Sequence, residues 1–494
     1  MEHTTTTAPA PTPALGFPEK LMPIGGVWVP SSTGTTITVS NPATEQPIAE
    51  VPSATVQDGL AALDAACSAQ DAWAATPARE RADILARTYQ GIIDRRDEFA
   101  ALITAEMGKT LPEAQAEVDY GAGFFRWFAE SAGRLHLEGQ YGLEPGGNYR
   151  IAVSKRPVGP ALLITPWNFP LAMGARKIAP ALAAGCTTVL KPAELTPLTS
   201  LLLAQVMEEA GVPAGVVNVI TTNDSRGVVG AIMADPRIRK ISFTGSTQVG
   251  RALLRQAAEN VMNTSMELGG NAPLIVFDDA DLDQAVDGAI VAKLRNGGQS
   301  CVGANRIYLQ SGIAEQFTQR FTEKMAATRV GDGAEPGVEL GPLVDAKQVA
   351  SVSALVTDAV AKGATLLTGG TIQEGAGYYY PPTVLTNIPA DADIRTEEIF
   401  GPVAAIYTFD TEDEAITEAN DTPYGLASYV FTQNLSRALR VADAIEAGMT
   451  GINRGLVSNP AAPFGGTNQS GLHREGGTEG LDAYQETKYT GIQL

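Results

Sequence analysis

The pattern that most constrains the fold is an alternation of short apolar runs with longer helical segments between Ile151 and Phe277. The short runs have strand length, and the longer ones carry apolar residues at helical spacing. In chain order the predicted elements are Ala161–Thr165, Leu171–Ala184, Thr187–Leu190, Pro197–Ala210, Val216–Ile220, Ile238–Phe243, Thr247–Glu259 and Pro273–Phe277. Strands that alternate with helices in this way predict a parallel, doubly wound α/β sheet.

Two further regions flank this sheet. Helical spacing from Val56 to Arg134, broken at Pro77, Gly108 and Pro112, predicts three helices. A second α/β domain is predicted from Ala280 to about Thr450, with elements at Leu282–Arg295, Arg306–Leu309, Ala314–Ala327, Lys347–Lys362 and Val403–Phe409. The extended segments Tyr149–Lys155 and Gly477–Leu494 are predicted to pair outside the main sheets, either on a neighbouring subunit or as a simple surface strand.

Composition narrows the class of function. The chain has 494 residues with 35 Lys+Arg and 55 Asp+Glu, a net charge of −20, which argues against nucleic acid or an anionic membrane as partner. No apolar run reaches the roughly 18 residues of a membrane helix. Residues 1–14 are expected to form a disordered tail without signal-peptide character. Three cysteines without a C-x-x-C pair indicate a reducing compartment, and we expect a cytoplasmic protein.

Several common catalytic motifs are missing from the sequence. It contains no G-x-x-x-x-G-K-[ST], H-E-x-x-H, G-x-S-x-G or G-x-G-x-x-G. The histidines are His3, His136 and His473, too few and too scattered to predict a metal site or a histidine-assisted nucleophile. Acid–base work is therefore expected from carboxylates or lysine.

Cys301 and Glu267 are the strongest candidates for chemistry. Cys301 lies in the glycine-rich bend Asn296–Arg306, where a thiol can be accessible and its thiolate would be a strong nucleophile, although a buried free cysteine is the commoner case. Glu267 is flanked by Met266 and Leu268 at the end of a strand, before a double glycine. Partial desolvation there would suit a general base, whereas bonding to loop amides is the alternative.

Three loops follow predicted strands and open helices, which is where open α/β sheets bind ligands. In the first, Asn168 can donate its amide to an oxyanion or serve as an ordinary turn residue. The second contains Lys191 and Glu194, a cation and a carboxylate. Gly245 and Ser246 in the third can present a backbone amide and a hydroxyl to a phosphate at a helix N-terminus.

Together these segments resemble the aldehyde dehydrogenase superfamily over almost the whole chain. The matching segments are Thr165–Pro170, Lys191–Glu194, Phe243–Gly250, Met266–Gly270, Gly298–Cys301, Glu398–Pro402 and Pro463–Gly466. The resemblance implies a Rossmann-type dinucleotide-binding domain (15–140 and 159–270), an α/β catalytic domain (271–475) and a small β oligomerisation element (141–158 and 476–494). It also implies a homodimer or homotetramer.

The resemblance carries roles onto matching positions. Cys301 would be the nucleophile, Glu267 the base for the deacylating water, and Asn168 with the Cys301 backbone N–H the oxyanion hole. The implied cofactor-binding residues are Thr165, Pro166, Trp167, Lys191, Glu194, Gly245, Ser246, Leu268, Glu398 and Phe400. Glu194 favours NAD because a carboxylate can accept both ribose hydroxyls but repels a 2′-phosphate, while Lys191 leaves NADP acceptable.

The implied substrate is an ω-oxo acid. Arg176, Arg295 and Ser470 are similar to the residues with which succinate-semialdehyde dehydrogenases hold the substrate carboxylate, although Arg176 could equally be an ion-paired side chain. Glutarate semialdehyde is the alternative substrate, a CoA-acylating enzyme is disfavoured by Glu267, and a non-catalytic protein of this fold is disfavoured by Cys301. Gly303 stands where many of these relatives have a second cysteine, so no redox switch is expected. His473 replaces a common glycine and suggests no role.

Overall fold

The computed structural model describes residues 15–133, 139–373 and 375–493. The predicted tail, residues 1–14, lies outside the described residues. Across those ranges the chain forms a six-stranded, a seven-stranded and a three-stranded sheet together with two hairpins. Helices separate most strands of the two large sheets, so the predicted α/β class is confirmed.

The amino-terminal part consists of two antiparallel hairpins and a helical layer. Its elements are β1 (Met22–Ile24), β2 (Val27–Val29), β3 (Thr36–Ser40), β4 (Pro47–Pro52), α1 (Val56–Ala75), α2 (Ala78–Asp94), α3 (Arg96–Met107) and α4 (Leu111–Ala132). The prediction of three helices was wrong. The unforeseen break is at Arg95, whose φ of −108° and ψ of 22° are not helical although neither Gly nor Pro marks it. Pro112 does not interrupt a helix but occupies the first turn of α4, where its missing N–H costs nothing.

The six-stranded sheet carries the alternation predicted from the sequence. Its elements are β7 (Ala161–Ile164), α5 (Ala172–Ala184), β8 (Thr188–Lys191), α6 (Leu198–Glu209), β9 (Val217–Val219), α7 (Ser225–Ala234), β10 (Lys240–Thr244), α8 (Thr247–Glu259), β11 (Asn263–Glu267) and β19 (Gly471–Leu472). The strand order is β19-β11-β10-β7-β8-β9, and β19 alone runs antiparallel. From β7 the chain adds β8 and β9 on one side, and it then returns to add β10 and β11 on the other side of β7. The strand order therefore reverses between β7 and β10, and a ligand crevice is expected at the carboxyl ends of these two strands.

The seven-stranded sheet follows in sequence. Its elements are β12 (Ala272–Val276), α9 (Leu282–Leu294), β13 (Ala304–Gln310), α10 (Ser311–Ala327), α11 (Ala346–Lys362), β14 (Thr365–Thr368), β15 (Thr383–Thr386), β16 (Val403–Phe409), α12 (Glu412–Asn420), β17 (Ala427–Phe431), α13 (Leu435–Ala444) and β18 (Met449–Ile452). The order is β14-β15-β16-β13-β12-β17-β18, with only β14 antiparallel to its neighbour. Cys301 lies in the loop that enters β13.

The three-stranded sheet joins two distant parts of the chain. β20 (Gln485–Ile492) pairs with β6 (Arg150–Pro157), which pairs with β5 (Gln140–Leu143), and the short helix α14 (Glu479–Asp482) precedes β20. β19 departs from the predicted boundaries, because it lies within 271–475 yet pairs with β11 of the six-stranded sheet. Within the described ranges, no helix combines the length and the apolar character needed to cross a membrane.

Candidate active site

A cavity of about 280 Å³ lies where the carboxyl ends of β7 and β10 face the loop before β13. Predicted site residues on its wall are Pro166, Trp167, Asn168, Arg176, Gly245, Ser246, Leu268, Arg295, Cys301, Glu398 and Phe400. The wall is completed by residues without a predicted role, among them Tyr120, Phe169, Met173, Ser458 and Phe464. The structure therefore brings most of the predicted nucleophile, oxyanion, cofactor and substrate residues to one space.

The loop that presents Cys301 has an unusual backbone. Asn296, Gly297 and Gly298 all adopt left-handed φ angles of 61°, 66° and 71°. A side chain at position 298 would overlap the carbonyl oxygen of Gly401, so only glycine fits there. The turn leaves Cys301 half-buried on the cavity wall. Burial raises the pKa of its thiol to about 12, against which the charge of Arg176 acts.

Asn168 is held in a position suited to an oxyanion donor. Its Nδ2 donates to the carbonyl of Gln299 at 3.0 Å, and its side chain lies on the cavity wall beside Cys301. An amide nitrogen has two N–H groups, so one remains for a ligand oxygen.

Glu267 lies next to the cavity but not on its wall. Its carboxyl is buried near Arg176, Lys177 and Glu475, and burial together with the charge of Glu475 raises its pKa well above the usual range. Glu475 is itself ion-paired with Arg176 and with Lys177, the latter at 2.5 Å. Glu267 is therefore buried and lies outside the set of residues that line the cavity.

Both predicted arginines lie at one end of the cavity. The Arg176 guanidinium packs over the ring of Phe464 at 4.1 Å and pairs with Glu475 on one side. Arg176 is thus both an ion-paired side chain, the alternative left open by the sequence, and a residue of the cavity wall. Arg295 packs over the ring of Phe169 at 5.0 Å, and its Nη1 donates to Ser458 Oγ at 3.5 Å. The guanidinium groups thus flank a polar end of an otherwise aromatic pocket.

Ser470 is not part of this cluster. Its hydroxyl donates to the carbonyl of Gly269 at 2.7 Å and accepts from the N–H of Gly425 at 2.9 Å, and the residue is fully buried. These bonds join the C-terminal loop to both large sheets and use the one hydroxyl proton, so the buried Ser470 has no donor left for a substrate carboxylate. The serine at the arginines is Ser458, which sequence reasoning missed because both serines lie in glycine- and proline-rich loops after β18.

Tyr120 was also missed. It projects from α4 into the arginine end of the cavity, and its buried hydroxyl has no hydrogen-bond partner among the described residues. Glu113, Glu117 and Tyr120 recur at helical spacing on α4, a pattern that could have indicated a functional face but equally fits an ordinary buried stripe.

The opposite end of the cavity has the features of a dinucleotide site. Trp167 and Phe400 meet edge to face with ring centroids 5.4 Å apart, and Glu398 accepts from the N–H of Gly270 at 3.2 Å. Burial raises the pKa of Glu398 to about 8. Ser246 caps the N-terminus of α8, whose free backbone N–H groups suit a pyrophosphate.

Lys191, Glu194 and Thr165 lie just beyond the cavity wall. Lys191 Nζ is 3.6 Å from Glu194 Oε2, and the lysine side chain is buried while that of Glu194 is 52% exposed. The N–H of Thr165 donates to the carbonyl of Lys191, which joins the ends of β7 and β8.

His473 does not line the cavity. Its φ of 72° is a conformation that glycine adopts more easily.

Residues 28–490 match the family model described as the aldehyde dehydrogenase family. The chain belongs to the aldehyde dehydrogenase family. It is 54% identical to a succinate-semialdehyde dehydrogenase of Paenarthrobacter nicotinovorans, over 90% of this chain and 98% of the relative. It is 47% identical to a glutarate-semialdehyde dehydrogenase of Pseudomonas putida, over 95% and 97% of the two chains. A solved Escherichia coli NADP-dependent enzyme superposes with a TM-score of 0.95 at 46% identity, covering 97% and 98%.

This aldehyde dehydrogenase is accordingly an NAD(P)-dependent oxidoreductase. The fit of a dinucleotide rests on the helix N-terminus at Ser246, the aromatic pair and the buried Glu398, all of which line the same cavity. Within the described part of the dehydrogenase, no three His, Cys, Asp or Glu side chains are grouped so as to hold a metal ion.

Proposed function

We propose that this enzyme oxidises succinate semialdehyde to succinate with NAD(P). The observation that carries the proposal is the pair of guanidinium groups, Arg176 and Arg295, in the same cavity as Cys301. Guanidinium forks match a carboxylate, whereas a simple aliphatic aldehyde would favour an apolar pocket. Ser458, beside Arg295, takes the place proposed from the sequence for Ser470.

The chain's own residues supply the covalent chemistry. Cys301 Sγ, as the thiolate, attacks the aldehyde carbon, and the carbonyl oxygen becomes an alkoxide held by Asn168 Nδ2–H and the Cys301 backbone N–H. Glu398 and Phe400 would hold the nicotinamide ribose and ring, with Trp167 as a neighbouring wall, and the ring would supply the hydride acceptor. The resulting thioester is attacked by water, and Glu267 takes the water proton as the acid and the thiolate are released. Glu267 reaches this water by rotating out of its buried position.

Cofactor choice rests on Glu194. We propose that NAD is preferred and NADP accepted, because the exposed carboxylate repels a 2′-phosphate while it can move away from Lys191. The similarity to an NADP-dependent enzyme supports acceptance of NADP.

The test compares two aldehydes that differ only in the distal carboxylate, succinate semialdehyde and butanal. Arg295→Met is expected to lower kcat/KM for succinate semialdehyde by about 10- to 100-fold, the loss of a charge-assisted bond, and to change that for butanal less than about twofold. Arg329→Met, an exposed arginine at a distant site, is the control, and Cys301→Ala should abolish turnover. Equal losses on both aldehydes with Arg295→Met would contradict the proposed carboxylate site.

Glutarate semialdehyde is the second candidate, favoured by the similarity to the Pseudomonas putida enzyme. The same arginines would serve an acid one methylene longer. Wild-type kcat/KM measured for ω-oxo acids of three to six carbons separates the two, since a maximum at four carbons supports succinate semialdehyde and one at five supports glutarate semialdehyde.

A further inference from the structure

The placement of Asn168 depends on residues that do not line the cavity. Its backbone carbonyl accepts two hydrogen bonds, from Lys109 Nζ at 2.8 Å and from Asn296 Nδ2 at 3.0 Å. A carbonyl oxygen has two lone pairs, so both acceptor positions are filled. The two donors arrive from different parts of the chain, Lys109 from the turn before α4 and Asn296 from the loop that carries Cys301.

Asn296 joins the oxyanion donor to the catalytic loop. Its Nδ2 also donates to the carbonyl of Gln299 at 2.9 Å, the same oxygen that accepts from Asn168 Nδ2. The backbone N–H of Asn296 donates to Glu113 at 2.5 Å, which holds the residue in its left-handed conformation. The Asn296 side chain therefore binds both the backbone carbonyl of Asn168 and the Gln299 carbonyl that holds the Asn168 side chain.

Lys109 fixes the same carbonyl from the opposite side. The lysine is buried, pairs with Glu117 at 2.5 Å and lies over the ring of Phe169 at 4.1 Å. Glu117 in turn accepts from the N–H groups of Leu171 and Ala172 at 2.9 and 3.2 Å, at the start of α5. The lysine is thus bound to a carboxylate that is itself fixed to the helix following Asn168.

We propose that Lys109 and Asn296 are positioning residues of the oxyanion hole, which set the Asn168 side chain relative to Cys301. Neither residue touches the substrate. Their effect passes through Asn168, whose free N–H has to point at the alkoxide to within a fraction of an ångström. Misplacement of a donor by about 1 Å costs roughly 100-fold in rate, comparable to losing it.

The first test uses Asn296→Asp, which keeps the size of the side chain but replaces the bridging nitrogen by an oxygen that faces two carbonyls. We expect kcat/KM for the aldehyde to fall by about 10- to 100-fold. The KM for the cofactor should change less than about twofold. The rate of Cys301 alkylation by iodoacetamide, read in the neutral variant Asn296→Gly, should also change less than about twofold, because alkylation forms no oxyanion. A parallel loss of alkylation and turnover in Asn296→Gly would overturn the proposal, since it would show that Asn296 holds Cys301 instead.

Asn296→Gly and Lys109→Met extend the test. Glycine adopts the left-handed backbone, so Asn296→Gly removes only the side chain and should reproduce the loss with little change in the thermal unfolding midpoint. Lys109→Met removes the donor to Asn168 and should lower turnover in the same manner. Asn387→Gly replaces another left-handed asparagine, exposed at the end of β15, and should leave turnover unchanged.

A double-mutant cycle decides whether the effect passes through Asn168. Asn168→Ala alone is expected to reduce kcat by about 100- to 1,000-fold, as for other oxyanion donors. Adding Asn296→Asp to Asn168→Ala should then cost less than about twofold, because the group that it positions is gone. The same proportional loss in both backgrounds would refute the proposal. The inference rests on the proposed function, which is tested separately by the turnover of succinate semialdehyde by the wild-type enzyme.

Discussion

With a net charge of −20, the chain as a whole repels anions, so binding of the proposed ω-oxo acid and of NAD(P) would rest on individual cations. Arg176 and Arg295 line the cavity with Cys301, and Lys191 lies beyond its wall beside Glu194. Arg176 is not a free charge, because Glu475 occupies one side of its guanidinium. This pairing keeps the group ionised in a buried place and fixes its direction, while the remaining N–H groups stay available.

The protonation of Cys301 leads to a prediction about pH. Burial raises the pKa of the thiol to about 12, so the thiolate fraction grows about tenfold for each pH unit below that value. We expect the rate of alkylation by iodoacetamide to rise about tenfold per unit from pH 7 to pH 9 without levelling. The background from Cys67 and Cys186 is measured in Cys301→Ala. A plateau below pH 8.5 would contradict the raised pKa.

Arg176 provides an independent check on that pKa. Its positive charge lowers the pKa of Cys301, so Arg176→Met is expected to slow alkylation at every pH between 7 and 9 by about 3- to 10-fold. Lys347→Met, on the exposed start of α11, is the control and should leave the alkylation rate unchanged. Faster alkylation in Arg176→Met would show that the guanidinium shields the thiol rather than stabilising the thiolate.

Glu194 leads to a prediction about cofactor choice. Its exposed carboxylate lies beside Lys191, and Glu194→Gln removes the charge that would repel a 2′-phosphate. The ratio of kcat/KM for NADP to that for NAD is expected to rise about tenfold, which corresponds to about 1.4 kcal/mol. Glu259→Gln, another exposed glutamate in the same part of the chain, should not change the ratio.

The parts of the site that the sequence predicts are those tied to short local patterns. Cys301, Asn168 and Glu267 each belong to a motif of a few residues, and strand ends place them together. Ser458 and Tyr120 lack such a pattern, because their proximity to the arginines depends on how α4 and the C-terminal loop pack. The raised pKa of the buried Glu267 was not predictable from its own motif, because Glu475, which contributes to it, lies far away in sequence.

At the scale of elements, two buried helices begin without a capping side chain of their own. The helices are α5 and α6, and each takes its cap from a glutamate on another helix. Glu117 caps α5, whereas Glu106 accepts from the N–H of Leu198 at 2.7 Å and from that of Thr199 at 2.9 Å to cap α6. These caps tie the helical layer to the six-stranded sheet.

Loss of such a cap should destabilise more than loss of an exposed one. Glu106→Ala leaves two buried N–H groups without a partner, at a cost of about 1–3 kcal/mol each, and should lower the thermal unfolding midpoint. Thr411→Ala removes the exposed cap of α12, worth about 1 kcal/mol. Scanning calorimetry at one heating rate compares the two variants. An equal or smaller shift for Glu106→Ala would contradict the importance of this cap.

Elements were predictable where periodicity was regular and unbroken. Thr247–Glu259 and Val403–Phe409 match α8 and β16. Neither α7 nor the hairpins β1–β4 were predicted from the sequence, and the break at Arg95 has no local sequence signal. Short strands such as β9 gain their stability from tertiary pairing, so local sequence holds little information about their ends.

The molecule as a whole contains one sheet whose outer strands are largely exposed in the single chain. β5 is exposed along its length and β20 nearly so, with Tyr141, Leu143 and Tyr489 each more than half exposed. A three-stranded sheet needs a packed apolar face, and one edge of β20 has no partner strand within the described residues. Contact with a second copy of the chain would supply both, which agrees with the dimer or tetramer that the family resemblance implies.

Assembly through this sheet predicts a mass and a way to change it. Light scattering after size exclusion should give two or four times the chain mass of 51.6 kDa. The double variant Tyr489→Asp/Ile492→Asp places one charge on each face of β20, at two exposed positions, and should shift the mass toward one chain, because burying an unpaired carboxylate is costly. Val360→Asp alters a similarly exposed apolar residue on α11 and should keep the wild-type mass. A wild-type mass of a single chain would refute assembly, and an unchanged mass in the double variant would place the contact elsewhere.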